Sequence, residues 1–190
     1  MDCTQCVPKH CRTTNSCGAE QFDREQLTTR YAERANQQIV EAAASLVDDG
    51  RAGTLSRLQE IIEFVKSMKY ERIGLAYCYG MESEAKAVRD VFRREGIRLH
   101  TVSCTVGGLP QSAVHSSSCN LHVSCNPLGQ AHQMNAEGTD FVILMGICLG
   151  HDILLQRNLA ADHTTFVVKD RVFQHEPLKV LRPFQPVTTE

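Results

Sequence analysis

No part of this chain is a continuous apolar run of the roughly 20 residues that cross a bilayer, so no membrane span is expected. Charge of one sign is also missing. Lys and Arg number 20 against 22 Asp and Glu, and the formal net charge is −2. Without a basic stripe there is no footprint for nucleic acid, and without an acidic tract none for a disordered tail. The amino terminus, Met-Asp-Cys-Thr-Gln-Cys, has no apolar signal region, so a reducing, cytoplasmic setting is expected. Several catalytic signatures are absent too. GxSxG, HExxH and GxxxxGK[ST] do not occur, and the lack of GxGxxG argues against a nucleotide dehydrogenase.

Cysteine, by contrast, is abundant: nine in 190 residues. An odd number fits complete disulfide pairing poorly, and in a reducing compartment such clusters point to metal or redox chemistry. The length suits one domain with a real core and leaves room for an appendage.

The organising stretch is Asp140-Phe-Val-Ile-Leu-Met-Gly-Ile-Cys-Leu-Gly-His-Asp152. Its apolar run has strand length and reads as a strand buried on both faces. A glycine turn holding Cys148 follows, then a helix. Arg72-Ile-Gly-Leu-Ala-Tyr-Cys78 and Leu99-His-Thr-Val-Ser-Cys104 repeat the plan. A free cysteine is most often a small buried hydrophobe. Cys78, Cys104 and Cys148 at equivalent strand ends favour a function instead, because open parallel sheets bind ligands beyond their carboxyl ends.

Taken in order, residues 1–18 form a cysteine-rich head, Cys3-x2-Cys6-x4-Cys11-x5-Cys17, with little else apolar. Soft thiolates at this density suit zinc or an iron–sulfur cluster, with His10 as a substitute ligand. Residues 19–190 read as an α/β domain. A long helix is expected over 20–49, with Asp23 and Gln26 resembling a capping box and Gly50 ending it. Helices follow over 54–68, 82–95, 127–136 and 152–159, and strands over 72–78, 98–104, 141–146 and 164–169. Loop 105–125 holds His115, Cys119, His122 and Cys125, and loops of this length are usually functional. Asn126-Pro127 supplies an N-cap and a first-position proline. Cys125 therefore stands at a helix mouth, which favours an anion there. The tail with Pro177, Pro183 and Pro186 reads as mostly irregular.

His151 could ligate a metal or move a proton, and Asp152 could orient it or merely cap the helix. Lys169, Asp170 and Arg171 end the last strand and could look into the same site, although three consecutive charges more often form a solvated turn. His100, His132 and His163 have no partner pattern.

Three motifs carry a resemblance: Cys125-Asn-Pro-Leu-Gly-Gln-Ala131, Met145-Gly-Ile-Cys-Leu-Gly-His-Asp152 and Val168-Lys-Asp-Arg-Val172. With the Glu60-to-Gly80 stretch and the CxxC-x4-C head, they make the chain similar to a prokaryotic family of unknown function described as cysteine-rich metal-binding proteins. The resemblance implies metal binding by cysteines and no established reaction. Residues 105–124 depart from it.

The expected fold is a three-layer, Rossmann-like α/β domain with a mainly parallel sheet of about four strands. The expected function is metal binding by thiolates, as an iron–sulfur redox or sulfur-handling protein. Cys78, Cys104, Cys125 and Cys148 should share a cavity with His151 at its rim, and Cys3, Cys6, Cys11 and Cys17 a second metal. Two alternatives stand beside this: a zinc-stabilised binding module, and a metal-free thiol enzyme using Cys125 or Cys148 with His151 as base. The expected partners are a metal ion or cluster and a small-molecule or redox partner, without nucleic acid or membrane.

Overall fold

Two adjacent strands are built almost wholly from apolar residues, and the rest packs around them. The computed structural model describes residues 1–13 and 15–184. Its helices are α1 (Arg24–Tyr31), α2 (Arg34–Ala44), α3 (Arg57–Met68), α4 (Glu82–Arg94), α5 (Gln111–Val114), α6 (Pro127–Ala136) and α7 (His151–Asn158). Its strands are β1 (Ile73–Tyr77), β2 (Leu99–Ser103), β3 (Phe141–Met145) and β4 (Asp162–Val167). The sheet order is β2-β1-β3-β4, and every pairing is parallel.

Alternation along the strands sorts their side chains between two faces. Ile73, Leu75, Phe141, Ile143 and Met145 meet Ile61 and Val65 of α3 and Val88 and Phe92 of α4. Ala76, Val142 and Leu144 meet Ala131 and Met134 of α6 and Leu155 of α7 on the other face. The result is a three-layer, Rossmann-like α/β fold. Among these residues Ile73, Leu75, Phe92, Val142 and Ile143 are wholly inaccessible to solvent. Burying side chains of this size contributes about 1.5–3 kcal/mol each before entropy is counted.

The strand order fixes where a ligand can sit. The β1-to-β2 crossover steps one way and the β2-to-β3 crossover steps back past β1. Right-handed crossovers in opposite directions put α4 and α6 on opposite faces. The boundary between β1 and β3 is therefore the topological switch point, and open α/β sheets bind ligands there, beyond the carboxyl ends.

Local chemistry sets the helix ends. Ser56 and Gln59 form a reciprocal capping box at α3. At α6, Asn126 Oδ1 accepts from the Gly129 N–H at 2.9 Å and Pro127 fills the first turn.

The expected helix over 20–49 is instead two helices. Thr28 and Thr29 donate their hydroxyls to the Arg24 and Glu25 carbonyls at 2.9 and 3.1 Å, which competes with regular helix geometry. α1 buries no residue, so packing does not hold the two pieces in line. The Asn36 amide donates to the Arg30 carbonyl at 2.8 Å across the break. α2 stops at Ala44, not at Gly50, and turns fill the chain to α3. Asp23 does cap α1, accepting from the Glu25 and Gln26 N–H groups. β4 starts at Asp162 rather than 164. The long loop contains α5 and an antiparallel bridge between Pro110 and Val123. Pro177 to Phe184 form a 3-10 helix. Pro186 lies outside the described residues. No described helix is long and apolar enough to cross a membrane.

Gly74 is demanded by the approach of α6 to β1. A Cβ there would lie 2.5 Å from Met134 Sδ and 3.2 Å from Val142 Cγ2. Gly74→Val should therefore cost about 1–3 kcal/mol through overpacking. A lowered urea midpoint at unchanged slope is the expected result, and a wild-type midpoint would contradict this packing.

Candidate functional site

The parallel ladder does not stop at the strand ends, and its continuation positions the cysteines. The Cys78 N–H donates to the Met145 carbonyl at 3.1 Å, and the Cys104 N–H to the Tyr77 carbonyl at 2.9 Å. One more bond, from the Asn126 N–H to the Cys104 carbonyl at 2.7 Å, brings the mouth of α6 against the end of β2. Cys78 and Cys104 are buried, while Cys125 and Cys148 are half-buried.

Cys104 and Cys125 form a pair, with the Cys125 thiol 3.5 Å from the Cys104 sulfur. The Tyr79 N–H also donates to Cys104 Sγ, at 3.3 Å, which places the turn after Cys78 against the same atom. The other two sulfurs have cationic partners. Lys169 Nζ donates to Cys78 Sγ at 3.2 Å, and Arg171 Nη2 lies 3.6 Å from Cys148 Sγ. Both cations follow β4, so the last strand closes the edge with positive charge.

The carboxylates nearby are spent on the backbone. Asp152 Oδ1 accepts from the Gly150 and Ile153 N–H groups at 2.9 and 2.8 Å. Asp170 Oδ1 accepts from the Val172 and Phe173 N–H groups, both at 2.9 Å. His151 opens α7 with a buried Nδ1 that takes no hydrogen bond from the described residues. No hydrogen bond joins it to Cys125 or Cys148 among them.

Sequence reasoning missed Gln130. It is fully buried beneath the edge, and its amide donates to the Val102 carbonyl at 2.9 Å and the Tyr77 carbonyl at 3.3 Å. Gln130 thus ties the ends of β1 and β2 together, leaving Oε1 buried without a protein partner. The available signal was a glutamine within the buried stripe Pro127, Gln130, Ala131, Met134.

The amino-terminal cysteines lie apart from this edge in sequence. Cys3, Cys11 and Cys17 are exposed and Cys6 half-buried. The Cys17 N–H donates to Glu20 Oε1 at 3.0 Å, and the Ser16 hydroxyl donates to both Glu20 oxygens. In the long loop, Cys119, His115 and His122 are exposed. Among the described residues no three His, Cys, Asp or Glu side chains are arranged as a metal site. The edge thus brings two sulfurs together and holds the other two on cations.

Burial pushes the Cys104 thiol up to about 12 from 9.0. The Tyr79 N–H opposes this, whereas Cys125 and the charge of Cys78 add to it. Cys104 therefore holds its proton more tightly folded than unfolded. Its contribution to stability is intact below about pH 9 and is lost as pH rises towards about 12. Chemical denaturation across that window should show stability falling in the wild type and falling less in Cys104→Ser. Equal slopes for both would contradict the burial argument.

Comparison with known proteins places most of the chain in one family. Residues 14–166 match the model of a protein family of unknown function, DUF1847. That match takes in Cys17, Cys78, Cys104, Cys119, Cys125 and Cys148. The uncharacterized protein MJ0455 of Methanocaldococcus jannaschii is 37% identical over 178 residues, covering 92% of this chain and 90% of its own length. No solved structure matches. The chain belongs to the DUF1847 family of proteins of unknown function.

Proposed function

We propose that the chain binds a soft metal, as zinc or an iron–sulfur cluster, through thiolates at the carboxyl edge of its sheet. One observation carries this reading: Cys104 and Cys125 hold their sulfurs 3.5 Å apart at the carboxyl edge of the sheet, beyond the end of β2. Two thiolates on one tetrahedral ion, each bonded at about 2.3 Å, stand about 3.8 Å apart. Cys78, at the end of the neighbouring strand β1, is the third donor. Cys148, on the turn after β3, is the fourth. A bound group would require Cys78 and Cys148 to turn from Lys169 and Arg171 towards the pair.

The donor chemistry fits. The neighbouring carboxylates each commit an oxygen to backbone N–H groups, which leaves sulfur and the His151 imidazole as ligand types, and both select soft or borderline metals over hard ones. Lys169 and Arg171 supply positive charge that offsets several thiolates gathered in a partly dry crevice. Zinc bound there would cross-link the strand ends, and an iron–sulfur cluster would supply a one-electron centre. The turns after Cys78 and Cys148 and the first turn of α6 also expose large apolar side chains: Tyr79 at 61%, Leu149 at 87% and Leu128 at 52%. Such a rim suits contact with a small molecule or redox partner. Cys3, Cys6, Cys11 and Cys17 form the proposed second soft-metal site. Cys3, Cys11 and Cys17 are exposed to an incoming ion, and Cys6 is half-buried.

Elemental analysis of protein purified without oxygen is the test. Iron with acid-labile sulfide and visible absorbance is expected for the redox reading; colourless, zinc-only protein supports a zinc-stabilised binding module. Replacing Cys104 and Cys125 together by Ser should remove the edge metal and leave the head's share. Unchanged metal content in that variant would overturn the edge assignment.

A further inference from the structure

The four edge sulfurs sort into two kinds by their partners. Cys78 and Cys148 each have a cation, at 3.2 and 3.6 Å, whereas Cys104 and Cys125 have each other at 3.5 Å. We propose that Cys104 and Cys125 are a reversible dithiol–disulfide couple, oxidised by low-molecular-weight disulfides, and that closing it takes both sulfurs out of the edge site.

The framework holds the pair as neighbours although 20 residues separate them. The Asn126 N–H grips the Cys104 carbonyl at 2.7 Å. The intervening loop is tied at its base, where the Ser124 N–H donates to the Leu109 carbonyl at 2.8 Å and the Gln111 N–H to the His122 carbonyl at 2.9 Å. A disulfide needs its sulfurs about 2.05 Å apart, so side-chain rotation has only about 1.5 Å to supply. The remaining thiol of this loop, Cys119, is exposed near its tip.

Accessibility sets the order of attack. Cys125 is half-buried and Cys104 is 3% exposed, so an external disulfide meets Cys125 first. The Cys125 sulfur attacks one sulfur of RSSR, its S–S bond breaks, and RS⁻ leaves to take up the Cys125 proton as RSH. A mixed disulfide, Cys125–S–S–R, results. The Cys104 sulfur then attacks Cys125 Sγ and expels the second RS⁻, which takes the Cys104 proton. The sum is two protein thiols oxidised by two electrons and one RSSR reduced to two RSH. The loss of metal on oxidation rests on the metal-binding reading above; the couple itself does not.

The experiment uses the full chain, reduced, stripped of metal with a chelator and titrated anaerobically with glutathione disulfide. Free thiols are then alkylated and the peptides mapped by mass. A Cys104–Cys125 link should dominate, about tenfold over any link through Cys119, because this pair starts 3.5 Å apart. Dithiothreitol should reverse it. In Cys104→Ser the glutathione adduct on Cys125 should persist, since nothing resolves it. The couple is overturned if both cysteines remain alkylated while head thiols oxidise, or if Cys125 pairs mainly with Cys119. Mapping the wild type needs no variant, so a misfolded mutant cannot decide the matter. Zinc titration of the reduced and oxidised forms separates the two readings. Zinc held at the edge without any disulfide sinks the couple alone. A disulfide in a protein whose reduced edge takes no zinc sinks the metal reading alone.

Discussion

Everything in this molecule depends on β1 being paired in parallel on both sides while buried on both faces. Ile73 and Leu75 serve one face, Ala76 the other, and Gly74 is reduced to a hydrogen atom to admit Met134. Its neighbours β2 and β3 both follow it in the chain, so the crossover that leaves β1 and the one that passes back over it run in opposite directions, and that divergence creates the switch point. It also aligns the carboxyl ends of three strands within one register. Cysteines that follow those ends are therefore neighbours by topology before any side-chain interaction is considered.

The edge they share is balanced electrostatically in an unusual way. Carboxylates stand nearby, yet Asp152 and Asp170 point back at the backbone and shape their own turns. The side chains that reach the sulfurs are cations or another sulfur. Burial keeps the Cys104 thiol protonated to about 12, so that sulfur carries no charge of its own in the absence of a bound ion. A metal or an oxidant would each exploit the same proximity, one by replacing protons and the other by removing them with electrons.

Much of the fold was legible because its strands announce themselves. Phe141 to Met145 is apolar at every position, and the cysteine after each of β1 and β2 marks the strand end. β4 was harder to bound because Asp162, His163 and Thr165 are polar and exposed on an edge strand, where hydrophobic pattern fades. The break after α1 has no proline or glycine to betray it; it rests on threonine hydroxyls and the reach of Asn36. At the edge, the places of Cys78, Cys104 and Cys148 just after their strands were readable from the sequence. Their sorting was not, because it depends on how a 20-residue loop returns Cys125 to Cys104 and on where the chain after β4 carries Lys169 and Arg171. Gln130 was hidden for the opposite reason: its helix pattern was correct, and the polar residue within the stripe passed as surface.

The central claim, that the edge thiols rather than the head alone form a soft-metal site, is tested most directly by cobalt(II) titration. The protein to use has Cys3, Cys6, Cys11 and Cys17 all replaced by Ser, so that any sulfur-to-cobalt charge-transfer band reports the edge. The account predicts a band that saturates with one ion and disappears when Cys104 and Cys125 are also replaced. A head-less protein with no such band, or a band indifferent to Cys104 and Cys125, would contradict it.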